Sequence, residues 1–588
     1  MRTFGGGNTE IPFGGSILGF RGAVATEHYL SAQAGMDVLK QGGNAFDAAA
    51  AATLVEGIVN PHMFTIGGEC PMLLYPTKEA KVLALNGNTE SPAKATLDAY
   101  KRLGFDLIPP EGVFSAGVPA AFSALMTMLL HYGSLPFEMI AQPAYLIARD
   151  GFPAHQGLIQ MPKFSIQANR EKFLDMWSAS AKMYLGSNKS TPAMGQRLKN
   201  PAMAGLLDAL INEAGHHQRN GRESGLKAAL EMFYKGDIAR EIDAFVTRQG
   251  GFLGRTDLAQ FQTFIEEPVS VEFFDTTIFK CGPWSQGPVF LQLLRLLEGF
   301  DLVGMGHNSA DYLHIWTEAA KLAYADREQF YADPRFVDVP MNELLSVEYN
   351  VKRRSLIDLQ QASGLHRPGD PRRLRPLLPD DEVFSRANWG YGTVHVAVID
   401  GLGNMAALTP SGGWISGNEI IPSLGFPLTT RLQTFYLDAR HPNVVAPCKR
   451  PRTTLSPSLA FRQGRPWMVF GTMGGDQQDQ WTSQFFLNRV LFKMSVQEAI
   501  EAPKVTFDHS PAIFYPHDAF PRKVRLEGRI SNGALDQLNK RGHLAELESD
   551  WAAGFICAVA RDEEGCLEVG ADPRGNKASV FPACALAW

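Results

Sequence analysis

At 588 residues the chain is long enough for a large core and, by length alone, for up to about four domains. Hydrophobic residues make up 45% and charged residues 20%, an ordinary globular balance that excludes wholesale disorder. The net charge of −6 leaves no basic excess to meet phosphates, which argues against a nucleic-acid binder. No apolar run approaches a membrane span, and Met1–Glu10 lacks the basic-then-apolar pattern of a secretory leader, so a cytoplasmic protein is expected.

In chain order, a helix is predicted through Ala32–Gln41, stopped by Gly42-Gly43, with Asn44 as the N-cap of an Ala-rich buried helix at Ala45–Val55. Pro71–Tyr75 and Lys81–Leu85 read as a hairpin, and Ala120–His131 and Ile140–Arg149 as core-facing helices. The stretch Asn169–Arg255 is helical and polar. Within it His216-His217, the densest histidine feature, reads as a solvated loop. Strands are predicted over Val269–Phe279, a helix over Val289–Leu297, and a long amphipathic helix over Ser309–Tyr331. Gly364–Pro379 is crowded with Pro and Arg, and Asp380-Asp381-Glu382 reverses the charge, so an unstructured segment is expected there.

Beyond it the chain turns strand-rich. Val394–Ile399 and Met405–Leu408 form a hairpin about Gly401-Leu402-Gly403-Asn404, Trp467–Thr472 is a strand ending in Gly474-Gly475, and Phe555–Ala560 pairs with Cys566–Val569. Six cysteines are scattered outside any CxxC or Cys/His spacing, which points to reduced thiols rather than disulfides or a metal site.

Thr393 follows a Gly directly and opens a short strand behind the Pro/Arg-rich segment. A threonine hydroxyl is a weak nucleophile unless a base stands beside it. Cutting the chain just before the residue supplies one, because the new α-amine can accept the hydroxyl proton. Glycine at the preceding position suits the strained backbone that an N→O acyl shift requires.

The motifs Ala25-Thr26-Glu27-His28, Gly42-Gly43-Asn44-Ala45-Phe46-Asp47-Ala48, Gln142-Pro143 and Ala148-Arg149-Asp150-Gly151 come first. Ala323-Tyr324-Ala325-Asp326-Arg327, Asp333-Pro334, Gly392-Thr393-Val394-His395, Lys449-Arg450-Pro451 and Gly474-Gly475 follow. In number and order they resemble the gamma-glutamyltranspeptidase family of N-terminal nucleophile hydrolases, over nearly the whole chain. The resemblance implies an α+β fold, a four-layer αββα sandwich, and a precursor that cleaves itself into a large subunit (1–392) and a small one (393–588). It implies no cofactor and no metal. The partners are a small-molecule amide and the two subunits themselves, with a dimer of these left open.

By the same resemblance Thr393 is the nucleophile, Ser411 hydrogen-bonds it, and the Gly474 and Gly475 amides form the oxyanion hole. The pair Thr453 and Thr454 falls where the family contacts the substrate carboxylate. On the residues alone, Gly474-Gly475 also reads as a strand-ending turn, and Thr453-Thr454 as ordinary strand threonines. His395 is expected to buttress the site, and Asp326 with Arg327 to form a structural ion pair. Ser285 is not a nucleophile elbow, since Pro283 stands where a Gly is needed.

Two positions depart from the family pattern. Asn88 stands in place of the Arg that clamps a γ-glutamyl donor's carboxylate, and Thr434 in place of the acid that clamps its ammonium. Burying an amino-acid head group without both clamps costs several kcal/mol. Arg431 offers another device, a guanidinium able to take a carboxylate bidentately, or else a surface ion pair. The Phe435–Pro451 stretch is similar to the acylase and small-amide hydrolase branch. The reading is a self-processing threonine amidohydrolase. The rivals are a true gamma-glutamyltransferase and an uncleaved, non-catalytic member.

Overall fold

A computed structural model describes residues 15–376, 392–577 and 582–588. Two seven-stranded sheets form its centre. The first runs, in spatial order, Cys584–Ala587, Gly22–Thr26, Val396–Asp400, Met405–Leu408, Met72–Tyr75, Leu83–Asn86 and Phe264–Glu266. The second runs Ile17–Gly19, Leu567–Ala571, Ile556–Arg561, Arg465–Thr472, Ser458–Arg462, Thr276–Lys280 and Val269–Phe273. Every neighbouring pair in both is antiparallel.

Period-two alternation explains how each sheet is covered on both faces. In Val396–Asp400, Ala397 and Ile399 join Ala23, Ala25 and Leu73 in an apolar layer shared with Val469, Val559 and Val569 of the other sheet. Val396 and Val398 point the opposite way, into the cluster built with the helices Tyr29–Lys40 and Ala45–Val59. The second sheet likewise turns Ala460, Met468 and Phe470 toward Phe290 and Phe485, on the helices Pro288–Leu297 and Gln478–Val490. Removing one such side chain, as in Ile399→Ala, costs about 2–5 kcal/mol.

The predicted elements recur with boundaries shifted by a few residues. Asn44 caps Ala45–Val59, accepting from Phe46 and Asp47 amides while the Asp47 carboxylate takes the Asn44 amide at 3.1 Å, a complete capping box.

Three expectations are corrected. The long helix expected over Ser309–Tyr331 spans Ala310–Phe330, but it has no polar outer face, because almost all of it is buried, including a Lys321–Glu318 ion pair at 2.7 Å. The Pro/Arg-rich stretch is not structureless throughout. Gly369–Asp370 pairs with Arg375–Pro376, Arg367 reaches the same Glu318 at 3.1 Å, and Leu374 packs against the core. The remainder of that stretch, with Asp380-Asp381-Glu382, lies outside the described residues. His216 and His217 end the helix Pro201–His217 rather than forming a loop, where their position suits the helix dipole. None of the six thiols is paired, and Cys70, Cys281 and Cys557 are buried. No helix among the described residues is long and apolar enough to cross a membrane.

Candidate active site

Thr393 lies just before the strand Val396–Asp400 and forms an isolated antiparallel bridge with Ser411, which in turn bridges Glu69. Three segments distant in sequence therefore meet through backbone pairing: Ser411 N donates to Glu69 O at 2.9 Å, and Glu69 N to Ser411 O at 2.8 Å. Side chains continue the connection. Thr393 Oγ1 is 3.1 Å from Ser411 Oγ, Arg431 Nη2 donates to Ser411 Oγ at 2.7 Å, and Arg431 Nε donates to Glu69 Oε1 at 2.5 Å. Ser411 Oγ also donates to the Gly392 carbonyl, which accepts from Trp414 Nε1 at 2.8 Å as well.

Arg431 is fully buried, so its reading as a surface ion pair is overturned. Its guanidinium carbon lies 5.0 Å from the Trp414 ring centroid and 5.1 Å from that of Phe514, a position favourable to a cation. The bidentate reading changes too. With Nε on Glu69 and Nη2 on Ser411, only Nη1 has no partner. Burial raises the Glu69 carboxyl above its ordinary value, and the Arg431 charge and Thr429 hydroxyl oppose that rise.

Gly392 sits against this group closely. A Cβ there would lie 2.5 Å from Trp414 Nε1, so close approach gives a second reason for glycine. Beside it opens a cavity of about 210 Å³, lined by Phe164, Trp414, Phe514 and Tyr515 with Lys163 and Gln433.

The Gly-Gly turn follows the strand Arg465–Thr472. Gly474 (φ 121°) and Gly475 (φ 58°) both occupy the left-handed region, and a Cβ on Gly474 would meet Trp481 at 2.4 Å. The turn is anchored by Asp476, whose carboxylate takes Arg327 Nη1 at 2.5 Å and whose carbonyl takes Tyr324 OH at 2.6 Å. The expected Asp326–Arg327 pair is thereby corrected. Arg327 pairs with Asp476 and Glu328, whereas Asp326 takes Arg353, Tyr349 and the Gly369 amide.

Asn88 and Thr434 are engaged with backbone. Asn88 Nδ2 donates to Pro451 O at 2.6 Å and its Oδ1 accepts from Thr89 N, while the Thr434 hydroxyl lies within reach of the Arg431 and Arg452 carbonyls. Thr453 bridges Ser285 through its backbone, and Ser285 Oγ donates to Gly282 O. The Thr454 hydroxyl is buried with no partner. His395 lies with Nδ1 3.0 Å from Thr409 Oγ1; burial lowers its pKa to about 3, so it stays neutral and supports the strand. Among the described residues no His, Cys, Asp and Glu gather in a group of three or more able to hold a metal.

Sequence reasoning missed Glu69 and Trp414. Each stands directly after a Gly-Gly pair, at Gly67-Gly68-Glu69 and Gly412-Gly413-Trp414. That spacing could have marked both as backbone crossings with a working side chain.

The gamma-glutamyltranspeptidase family profile matches residues 31–581. The chain is 30% identical to a glutathione hydrolase-like proenzyme of Bacillus subtilis (strain 168), over 96% of this chain and 99% of that one. It is 27% identical to an oxamate amidohydrolase proenzyme of Klebsiella pneumoniae, over 96% and 99%. The crystal structure of a cephalosporin acylase from Bacillus halodurans superposes with a TM-score of 0.83 at 28% identity, covering 100% of this chain and 99% of that one.

Proposed function

The chain belongs to the gamma-glutamyltranspeptidase family and is a self-processing amidohydrolase of it; from that premise we propose that it cuts itself between Gly392 and Thr393. The two subunits, 1–392 and 393–588, then stay together as one αββα sandwich, the two facing sheets forming its middle layers. The freed Thr393 amine, with an ordinary pKa of roughly 7.7–8, is the general base that takes the Oγ proton. Thr393 Oγ attacks the amide carbonyl, the Gly474 and Gly475 amides meet the oxyanion, and water releases the acyl group.

The substrate is an amide whose acyl part carries an accepting oxygen, such as a carboxylate, but no α-amino group. The observation that supports this reading is that two buried donors, Arg431 Nη1 and Thr454 Oγ1, have no partner in the protein, whereas Asn88 and Thr434 are already taken up by backbone. Arg431 gives such an oxygen one hydrogen bond, since Glu69 and Ser411 hold its other edge. An α-ammonium would find no acid at position 434.

Two anilides test this: glutaryl p-nitroanilide and γ-glutamyl p-nitroanilide differ only by the α-amino group. Leaving that ammonium unpaired costs at least about 1.4 kcal/mol, so kcat/KM is expected to favour the glutaryl compound tenfold or more. A γ-glutamyl preference, with stimulation by a dipeptide acceptor, would turn the assignment to a true transferase. In Thr393→Ala, both the hydrolysis and the appearance of two fragments by denaturing intact mass are expected to vanish.

A further inference from the structure

The Gly392 carbonyl oxygen is met by two donors at once. Trp414 Nε1 lies 2.8 Å from it, sharing its hydrogen with Met63 O at 2.8 Å, and Ser411 Oγ is the second donor. Both donors are buried, as is Thr393. The direction of each proton follows from which groups can donate. A guanidinium only donates, so Ser411 Oγ accepts from Arg431 Nη2. A carbonyl only accepts, so the single Ser411 proton points at Gly392 O. What remains for Thr393 is the second lone pair of Ser411, and Thr393 Oγ1 donates to it at 3.1 Å. Protons are thus aligned Thr393 to Ser411 to Gly392, with the indole N–H beside the last oxygen.

We propose that Trp414 is a catalytic residue of self-cleavage, its indole N–H forming with Ser411 an oxyanion site for the Gly392 carbonyl that is separate from the Gly474–Gly475 site used in turnover. The assignment rests on the cut falling between Gly392 and Thr393. Thr393 Oγ bonds to the Gly392 carbonyl carbon. Its proton passes to Ser411 Oγ while the Ser411 proton passes to the Gly392 oxygen, so no free amine is needed before one exists. Negative charge develops on that oxygen against the indole N–H until the proton arrives, and the neutral five-membered intermediate then holds its hydroxyl there. Its collapse breaks the Gly392–Thr393 C–N bond, and the hydroxyl proton goes to the departing nitrogen, leaving an ester between Gly392 and Thr393 Oγ. Water then adds to the ester and the C–Oγ bond breaks. The products are the Gly392 carboxylate and a Thr393 that carries both its hydroxyl and its α-amine.

Glu69 acts as a positioning residue, fixing Arg431 so that Nη2 occupies the Ser411 lone pair. Without that donor, Ser411 could rotate its proton away from Gly392.

The experiment follows the uncut fraction by denaturing intact mass in freshly synthesised full chain. It compares wild type, Trp414→Phe, and a chain carrying benzothienylalanine at 414, in which sulfur replaces the indole N–H at nearly unchanged shape. Losing one oxyanion donor slows the step by about 10²–10³-fold, and both variants are expected to cleave that much more slowly. The isostere decides the matter if the Phe variant fails to fold. Cleavage of the isostere at wild-type speed overturns the assignment alone. A wild-type chain that is never cut at Gly392–Thr393 overturns the cut-site reading, and this assignment with it.

Discussion

Around Ser411 an acid and a base are buried together, whereas around Glu27 acids and histidines are buried with no ion-pair partner among the described residues. In the first region Glu69 and Arg431, both fully buried, meet at 2.5 Å. In the second, Glu27 and Glu56 neighbour each other, and the His155 ring lies 5.3 Å from that of His28 and 5.5 Å from that of His62. Burial pushes Glu27 well above the ordinary carboxyl range and Glu56 up to about 7. It lowers His28 and His62 well below the ordinary value and His155 to about 4. The two regions show two ways of keeping ionisable groups out of water. One pairs charges and uses them to orient a hydroxyl; the other holds the groups in neutral forms. They also adjoin, since the Glu27 carboxyl lies beside the backbone N–H groups of His395 and Met473, next to the strand that follows Thr393 and the Gly-Gly turn.

Breaking the charged pair is expected to have the largest effect. Glu69→Ala leaves a buried guanidinium unpaired, which costs about 3–5 kcal/mol. At about 2.1 cal/mol/K per residue over 588 residues, that lowers Tm by roughly 2–4 °C. Self-cleavage should slow in the same variant, measured at a temperature where calorimetry shows it folded. An unchanged Tm would mean that the pair is not what keeps Arg431 buried.

The neutral cluster answers to pH instead. The Glu56 carboxyl ionises near its ordinary 4.5 in the unfolded chain and near 7 in the folded one. Between those values the folded state holds the extra proton, so this contribution is fully present below pH 4.5 and declines as pH rises to 7. The loss is on the order of 3 kcal/mol, or roughly 2–3 °C in Tm. Glu56→Gln keeps the shape without the titration. Its Tm should fall less than that of wild type between pH 5 and pH 8, and parallel declines would show that Glu56 is not the group responsible.

The smallest effect sharpens the assignment of open donors. Thr454→Val removes a hydroxyl that has no partner in the protein, so stability should change by less than about 1 kcal/mol. For a substrate that reaches it, kcat/KM should drop about tenfold, the equivalent of one hydrogen bond. Unchanged kinetics on the glutaryl anilide would remove Thr454 from the substrate contacts.

Much of the fold was legible because it is locally written. Asn44 and Asp47 cap a helix three residues apart, and the alternation in Val396–Asp400 sorts its side chains to two faces. Thr393 stands out in the sequence for a chemical reason, as a hydroxyl placed after a glycine at the head of a strand.

What the sequence could not decide is which polar group meets which. Arg431 reads as a free clamp until Glu69, 362 positions earlier, is brought to its Nε. Asn88 and Thr434 read as departures from the family's clamp residues, but only the fold places the carbonyls of Pro451, Arg431 and Arg452 beside them. Ala310–Phe330 carries Lys and Glu like an amphipathic helix, and only the packed structure buries them as a pair. The physical reason is the same in each case. Periodicity and capping are satisfied within a few residues, whereas a buried donor takes its partner from whatever distant segment the fold delivers.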